Sequence, residues 1–293
     1  MIPPAFDYHV PKTLPEAVGL LGQLGQKGEE AKILSGGQSL LPLLKLRLGA
    51  AGHLVDIGRI PGLEFIEEAD GHLRIGGRTR ESALERSDVV HQKYPLLADT
   101  AAVIADPLVR NLATVGGNLA HGDPANDHPA TMLALRAEVV ATGPKGKRTI
   151  PIDQFFQGLF STALEADEIL TEIRIPSPPP KSGGAYVKLE RKVGDFATAA
   201  AAVQLTLGAG GEVTKAGIAL TNAGPTPIRA AEAERYLTGK QPTDDVIAEA
   251  AKLAANAATP TADRRGTIDY KRNMARVLTA RALRRAVQRA RES

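Results

Sequence analysis

The sequence predicts an α+β chain in two parts. Three observations carry this reading. Short apolar runs alternate with helical patterns through the first half. A stretch rich in Pro, Gly and Ser, Ser177 to Gly184, then breaks the pattern. Beyond it, two strand-like runs flank a glycine turn, and the last third is helical. At roughly 100–200 residues per domain, 293 residues suggest two domains.

The elements follow in order. Ala17, Val18, Leu21 and Leu24 recur at helical spacing, so Leu14 to Leu24 reads as a helix. Thr13 is its candidate N-cap, with Pro15 and Glu16 in the first turn. Ala31 to Leu34 reads as a strand, and the loop Ser35–Leu40 leads to a helix over Leu40 to Leu48. His53 to Ile57 and Leu73 to Ile75 read as strands, and Ser82 to Ser87 opens a further helix. Leu96 to Ile104 is helical and ends near Asp106-Pro107, where proline disfavours continuation. After a loop, Thr114 to Leu119, Asp127 to Leu135 is read as helix and Glu138 to Thr142 as strand. Ile169 to Ile175 alternates apolar and polar residues, a strand signal. Ala185 to Leu189 reads as a strand; Ala199 to Leu207 fits a strand or an alanine-rich helix. Ala209-Gly210-Gly211 is a hairpin turn that pairs Val213 to Leu220 with the preceding run. Ile228 to Leu237, Asp244 to Ala257 and Tyr270 to Arg291 read as helices.

Composition removes several function classes. There is no cysteine, so disulfides, thiolate metal sites, a cysteine nucleophile and cysteine-ligated iron–sulfur clusters are excluded for this chain. Thirty-six basic residues against 33 acidic ones leave a net charge of +3, too mild to argue for nucleic acid. Tryptophan is absent and aromatics make up 4%, which disfavours a stacking single-strand binder. No apolar run is long enough for a membrane span. The first residues, MIPPAFDYHVPK, lack an apolar core and are not expected to be a secretory signal. The expected location is cytoplasmic, with peripheral placement at the inner membrane face as a variant.

Two glycine pairs stand out. One is Ser35-Gly36-Gly37-Gln38-Ser39; the other is Thr114-Val115-Gly116-Gly117-Asn118. Paired glycines let successive backbone N–H groups converge on an anion, and flanking hydroxyls and amides add donors. Such loops can grip a pyrophosphate; alternatively each is only a tight turn. Familiar phosphate motifs fail on spacing. Gly208-Ala209-Gly210-Gly211-Glu212-Val213 has Val where the dinucleotide fingerprint needs Gly. Gly146-Lys147 is followed by Arg148 and preceded at the P-loop distance by Ala141. Gly37-Gln38-Ser39-Leu40 ends in Leu41, not the glycine of a nucleophile elbow.

His121-Gly122-Asp123-Pro124-Ala125-Asn126-Asp127-His128 holds two imidazoles and two carboxylates, yet matches no zinc spacing, so no metal is expected. Turn formation, helix capping and ligand hydrogen bonds are the expected roles. Phe196 follows a Gly-Asp turn, where it either stacks on a flat ring or serves as a core aromatic. The tail from Tyr270 carries Lys271, Arg272, Arg276, Arg281, Arg284, Arg285, Arg289 and Arg291. It is read as a solvated face with an apolar seam at Met274, Val277 and Leu278, or as a docking surface for a partner protein.

Taken together, these residues resemble the FAD-binding medium subunits of the molybdenum hydroxylases, the xanthine dehydrogenase family. The likeness runs through FDYHVPKTLPEAV, SGGQSLLPLLKLRL, IADPLVRNLATVGGNLAHGDPANDHPA, DEILTEIRIP, KLERKVGDFATAAAA and GIALTNAGPTP. Within the family it is most similar to medium subunits of aerobic carbon monoxide dehydrogenase. The resemblance implies an FAD-binding domain of the PCMH type over residues 1–177, in two subdomains dividing near 55–60. A smaller C-terminal domain over 178–293 would carry an antiparallel sheet and helices.

It also implies site residues. Leu34, Ser35, Gly36, Gly37, Gln38, Ser39 and Leu40 would wrap the FAD pyrophosphate and ribityl chain. Thr114, Val115, Gly116, Gly117 and Asn118 would do so from the other side. Asp127 and Lys188 would supply polar groups, Ile104 and Leu170 an apolar wall, and Phe196 a ring over the flavin. Two positions depart from the carbon monoxide subtype: Phe196 replaces a tyrosine, and Gln38 stands where histidine is usual. Aldehyde and N-heterocycle (xanthine, nicotine type) hydroxylases are therefore the alternative.

The implied function is an oxidoreductase subunit with no catalytic acid or base of its own. It would take electrons from a small subunit with two [2Fe-2S] clusters and pass them to quinone, NAD or oxygen. A large molybdopterin-binding subunit would complete a dimer of heterotrimers. A self-contained FAD oxidase, with His121 near the cofactor, and a non-enzymatic docking protein are the rival readings.

Overall fold

A computed structural model describes residues 1–293. The fold is α+β, with three larger sheets that build and close one cleft. The first sheet is small and parallel. It comprises β1 (Asp7–His9), β2 (Ala31–Leu34) and β3 (His53–Asp56), in the order β1-β3-β2. Helix α1 (Leu14–Gln26) crosses from β1 to β2, and α2 (Leu40–Lys45) leads toward β3. Thr13 caps α1 as expected, its Oγ1 accepting from the Glu16 N–H at 3.3 Å. Ala17, Val18, Leu21 and Leu24 are buried against Val55, Ile57 and Ile60. Helix α2 is shorter than its apolar run predicts, and Arg47 turns the chain at φ 57°.

The second sheet is antiparallel. Its strands are β4 (Ile66–Ala69), β5 (His72–Gly76), β6 (Glu138–Gly143), β7 (Gly146–Pro151) and β10 (Ile169–Pro176), ordered β4-β5-β10-β6-β7. A small hairpin, β8 (Phe156–Gly158) with β9 (Ser161–Thr162), lies between β7 and β10. Six helices connect β5 to β6: α3 (Glu81–Glu85), α4 (Asp88–Lys93), α5 (Pro95–Val103), α6 (Pro107–Arg110), α7 (Val115–His121) and α8 (Asp127–Leu135). The second glycine pair lies inside α7 and is not a loop. Thr114 caps that helix through Oγ1 and the Gly117 N–H, 3.2 Å apart, and this outweighs the low helix propensity of the glycines.

The third sheet is the antiparallel meander β11 (Ser182–Leu189), β12 (Ala199–Leu207), β13 (Val213–Thr221) and β14 (Ile228–Arg229). The alanine run Ala199–Ala202 is strand, settled by pairing on both sides with β11 and β13. Ile228 to Leu237 divides into β14 and α9 (Ala231–Leu237) instead of one helix. Helices α10 (Asp244–Asn256) and α11 (Ile268–Glu292) follow. The tail helix buries Ala275, Leu278, Ala282, Leu283, Ala286 and Ala290, a seam rich in alanine. Met274 and Val277, expected on that seam, are only half-buried. Backbones meet closely there: a Cβ on Gly183 would lie 2.5 Å from the Ala290 nitrogen. The large core joins both halves, packing Tyr186, Ala200, Ala202 and Ala219 with Leu97, Leu119 and Met132.

Candidate FAD cleft

The cleft has a volume of about 540 Å³, within the range of small-molecule and cofactor sites. The first glycine loop sits at the carboxyl end of β2, outside a parallel sheet, where α/β folds hold ligands. Gly37 takes φ +77°, which turns the loop sharply. The six consecutive N–H groups from Ser35 to Leu40 donate to no protein acceptor, and all six residues line the cleft. Such a row of unengaged amides is an anion cradle.

The second glycine pair differs. The Val115 and Gly116 N–H groups donate to the Thr79 and Gly77 carbonyls, at 3.0 and 3.1 Å. Those of Gly117 and Asn118 donate to Thr114. This segment therefore offers side chains rather than amides. Asn118 Oδ1 is buried with no partner, so the cleft holds an acceptor awaiting a donor.

The two glycine segments touch. Ser35 Oγ lies 3.0 Å from Thr114 Oγ1. A Cβ on Gly36 would sit 2.8 Å from the Ala113 Cα, and one on Gly116 an equal 2.8 Å from the Gly77 Cα. Only glycine permits either approach. Leu34 packs beneath the first loop and Val115 is fully buried, so neither lines the cleft.

Ile104 and Leu170 do line it, with Ile33, Ile57, Val109 and Ile169 extending the apolar wall. Phe196 also lines it and is 47% exposed, which removes the core-aromatic reading. Asp127 borders the cleft, but both its oxygens are engaged. Oδ1 accepts from the Tyr186 hydroxyl at 2.7 Å and Oδ2 from Lys188 Nζ at 2.8 Å. Burial raises the Asp127 carboxyl above its ordinary range, opposed by the Lys188 ammonium. Lys188 itself is 3% exposed, does not line the cleft and also donates to the Val103 carbonyl at 3.0 Å. Burial, then the Asp127 charge, pushes the Tyr186 phenol well above its usual value, so it stays a donor. Sequence reasoning missed Tyr186, because nothing local distinguishes a tyrosine in a strand. His121 lines the cleft beside Phe160, ring centroids 5.0 Å apart, and burial lowers its pKa, leaving it neutral at pH 7. His128 points elsewhere: its Nε2 meets Glu81 Oε2 at 2.8 Å, both side chains fully buried.

An amide cradle at one wall, an unpartnered acceptor at another and an apolar slot between them suit an extended cofactor with a pyrophosphate and a flat ring. The fold and site thus define a dinucleotide-cofactor protein outside the doubly wound class. Residues 4–178 match the family described as the FAD binding domain in molybdopterin dehydrogenase. Residues 184–286 match the CO dehydrogenase flavoprotein C-terminal domain. The carbon monoxide dehydrogenase medium chain of Hydrogenophaga pseudoflava is 48% identical, covering 97% of each chain. A structure of carbon monoxide dehydrogenase from that organism, lacking the Mo-pyranopterin moiety, superposes with TM-score 0.95 at 49% identity over 99% of both chains. Quinoline 2-oxidoreductase from Pseudomonas putida 86 superposes with TM-score 0.91 at 33% identity, covering 99% of both chains. The chain belongs to the FAD-binding flavoprotein family of the molybdopterin dehydrogenases. It is an oxidoreductase subunit, and no helix is long and apolar enough to cross a membrane.

Proposed function

We propose that the chain is the flavoprotein subunit of a cytoplasmic carbon monoxide dehydrogenase, working between a small iron–sulfur subunit and an external acceptor: quinone, NAD or oxygen. A large molybdopterin subunit completes the assembly, as a dimer of heterotrimers. The observation that supports the cofactor's placement is the row of unengaged amides from Ser35 to Leu40, held against Thr114. Bound FAD supplies the redox centre, accepting electrons singly and releasing them as a pair.

The protein's part is positioning. Ser35, Gly36, Gly37, Gln38 and Ser39 hold the pyrophosphate through backbone amides. Asn118 Oδ1 accepts a hydrogen bond from the cofactor. Ile104 and Leu170 keep water from one face of the ring, and Phe196 covers the mouth. Asp127 acts through Tyr186 and Lys188, locking β11 to α8 behind the slot. The proposed domain division is near residue 177, with the first two sheets as subdomains.

The test is visible absorption of the chain co-expressed with the products of its neighbouring genes. Flavin bands that bleach anaerobically with carbon monoxide establish the reading. Bleaching only with an aldehyde or an N-heterocycle moves it to those hydroxylases, the alternative that Phe196 and Gln38 keep open. No flavin after incubation with FAD overturns it.

A further inference from the structure

Phe196 stands on a turn, Glu190 to Phe196, held partly by its own bonds and partly by a residue far along the chain. Gly194 has φ +82° and presses against Ala105, whose carbonyl oxygen would lie 2.8 Å from an added Cβ. The turn is organised around Asp195. Its Oδ1 accepts from the Phe196 N–H at 2.8 Å, and its Oδ2 from Arg191 Nε at 2.9 Å. A third donor comes from far along the chain: Arg265 reaches Oδ1 at 3.1 Å. Burial opposes the charged form of Asp195, but the two guanidinium groups outweigh it and hold its pKa at about 2. The carboxylate is therefore charged at every working pH.

Arg265 belongs to the segment between α10 and α11, and that segment is itself anchored. Lys271, on the first turn of α11, is 1% exposed, and its Nζ meets Asp263 Oδ2 at 2.7 Å. The other Asp263 oxygen accepts from the Arg265 N–H at 2.7 Å. The Thr259 N–H donates to the Ala223 carbonyl at 2.7 Å, closing the segment onto the connection between β13 and β14. A buried ammonium with one carboxylate partner cannot release it cheaply, because the charge left behind would be uncompensated. The chain of contacts runs from Lys271 to Asp263, Arg265, Asp195 and the Phe196 backbone.

We propose that Arg265 is a positioning residue for the flavin site: through Asp195 it sets where Phe196 lies over the cleft. This rests on the FAD reading above. Its anchor, the Lys271–Asp263 pair, ties the placement of Phe196 to the start of α11 as well as to the cleft wall at Ala105.

The test compares Arg265→Met and Arg265→Lys with the parent, each as the full chain co-expressed with its neighbouring gene products. Lysine can restore the single charged donor that Arg265 supplies. Arg281→Met, an exposed site on α11, is the control. Amide hydrogen exchange at Asp195 and Phe196 is read first. Losing one charge-assisted bond accelerates it at least about tenfold in Arg265→Met, with most of the protection restored in Arg265→Lys. FAD affinity and iodide quenching of flavin fluorescence are read second. Weaker binding and greater quenching are expected in the methionine variant alone. Exchange within about twofold of the parent, or equal loss in both variants, overturns the proposal. Absence of FAD from the parent would overturn the flavin reading, while the exchange measurement still decides whether Arg265 holds the turn.

Discussion

Replacing Gly36 by alanine probes the joint between the two glycine segments. The added Cβ would meet the Ala113 Cα at 2.8 Å and the Leu112 carbonyl oxygen closer still, against ordinary contacts of 3.4–4 Å. Both neighbours are backbone, so no rotamer change relieves the clash. The loops must part by more than half an ångström, which also stretches the 3.0 Å contact between Ser35 and Thr114. Gly36 does not need a positive φ, so the penalty is steric and not conformational. Overpacking of this kind costs about 1–3 kcal/mol. If binding must restore the parent spacing, that strain weakens FAD affinity about 5- to 150-fold. Gly19→Ala is the matched control: it lies inside α1 with nothing within 4 Å, and alanine there should stabilise by about 0.5–1 kcal/mol. Urea unfolding and titration calorimetry with FAD read both effects. Should Gly36→Ala unfold at the parent's midpoint and bind FAD within about twofold, the loop contact does not shape the cleft.

Lys188→Met leaves the Asp127 carboxylate buried without its cation and should cost about 3–5 kcal/mol. Burial already raises that carboxyl, so in the variant the unfolded chain ionises before the folded one. The variant's stability is fullest below the unfolded pKa and falls as pH rises through the folded value, read as urea midpoints across mildly acidic to neutral pH. Glu172 behaves oppositely. Burial opposes its ionisation, but Arg74 and Arg174 hold it at about 2 against an ordinary 4.5. Its contribution is present above 4.5 and lost as pH falls toward about 2, so the stability gap between the parent and Arg74→Met should close over that window in acid titrations followed by circular dichroism. Phe196→Ala should cost less than about 1 kcal/mol, because the ring is half exposed, yet it should raise iodide quenching of bound flavin several-fold.

Much of this molecule is legible where local signals agree. Asp127 to Leu135 reads as helix and is helix, with both boundaries at those residues. The hairpin at Ala209-Gly210-Gly211 pairs β12 with β13 as its glycines require. The first glycine loop is legible because what sets it apart, a row of unengaged amides, lies in its own backbone. Elements decided by distant partners are not. Strand β7 is polar and exposed except at Ile150, so it shows no alternation to read. Helix α7 carries two glycines in its first turn and depends on the Thr114 cap. Arg265 carries no local signal, since its partner is an aspartate seventy residues earlier.

The close approach of α11 to β11 has a further consequence. Alanines on one side and Gly183 on the other leave no room for a bulkier side chain. The helix can neither roll nor slide without a backbone collision. Its outer arginines, among them Arg281, Arg284, Arg285 and Arg291, therefore keep a fixed bearing, like teeth on a keyed shaft. Arg289 adds a pin, its guanidinium bidentate to Asp99 at 2.7 and 2.9 Å. Tolerance in this stretch of sequence is lopsided as a result: Arg281 and Arg291, which pair with no acid, can change, while the smallest residues cannot.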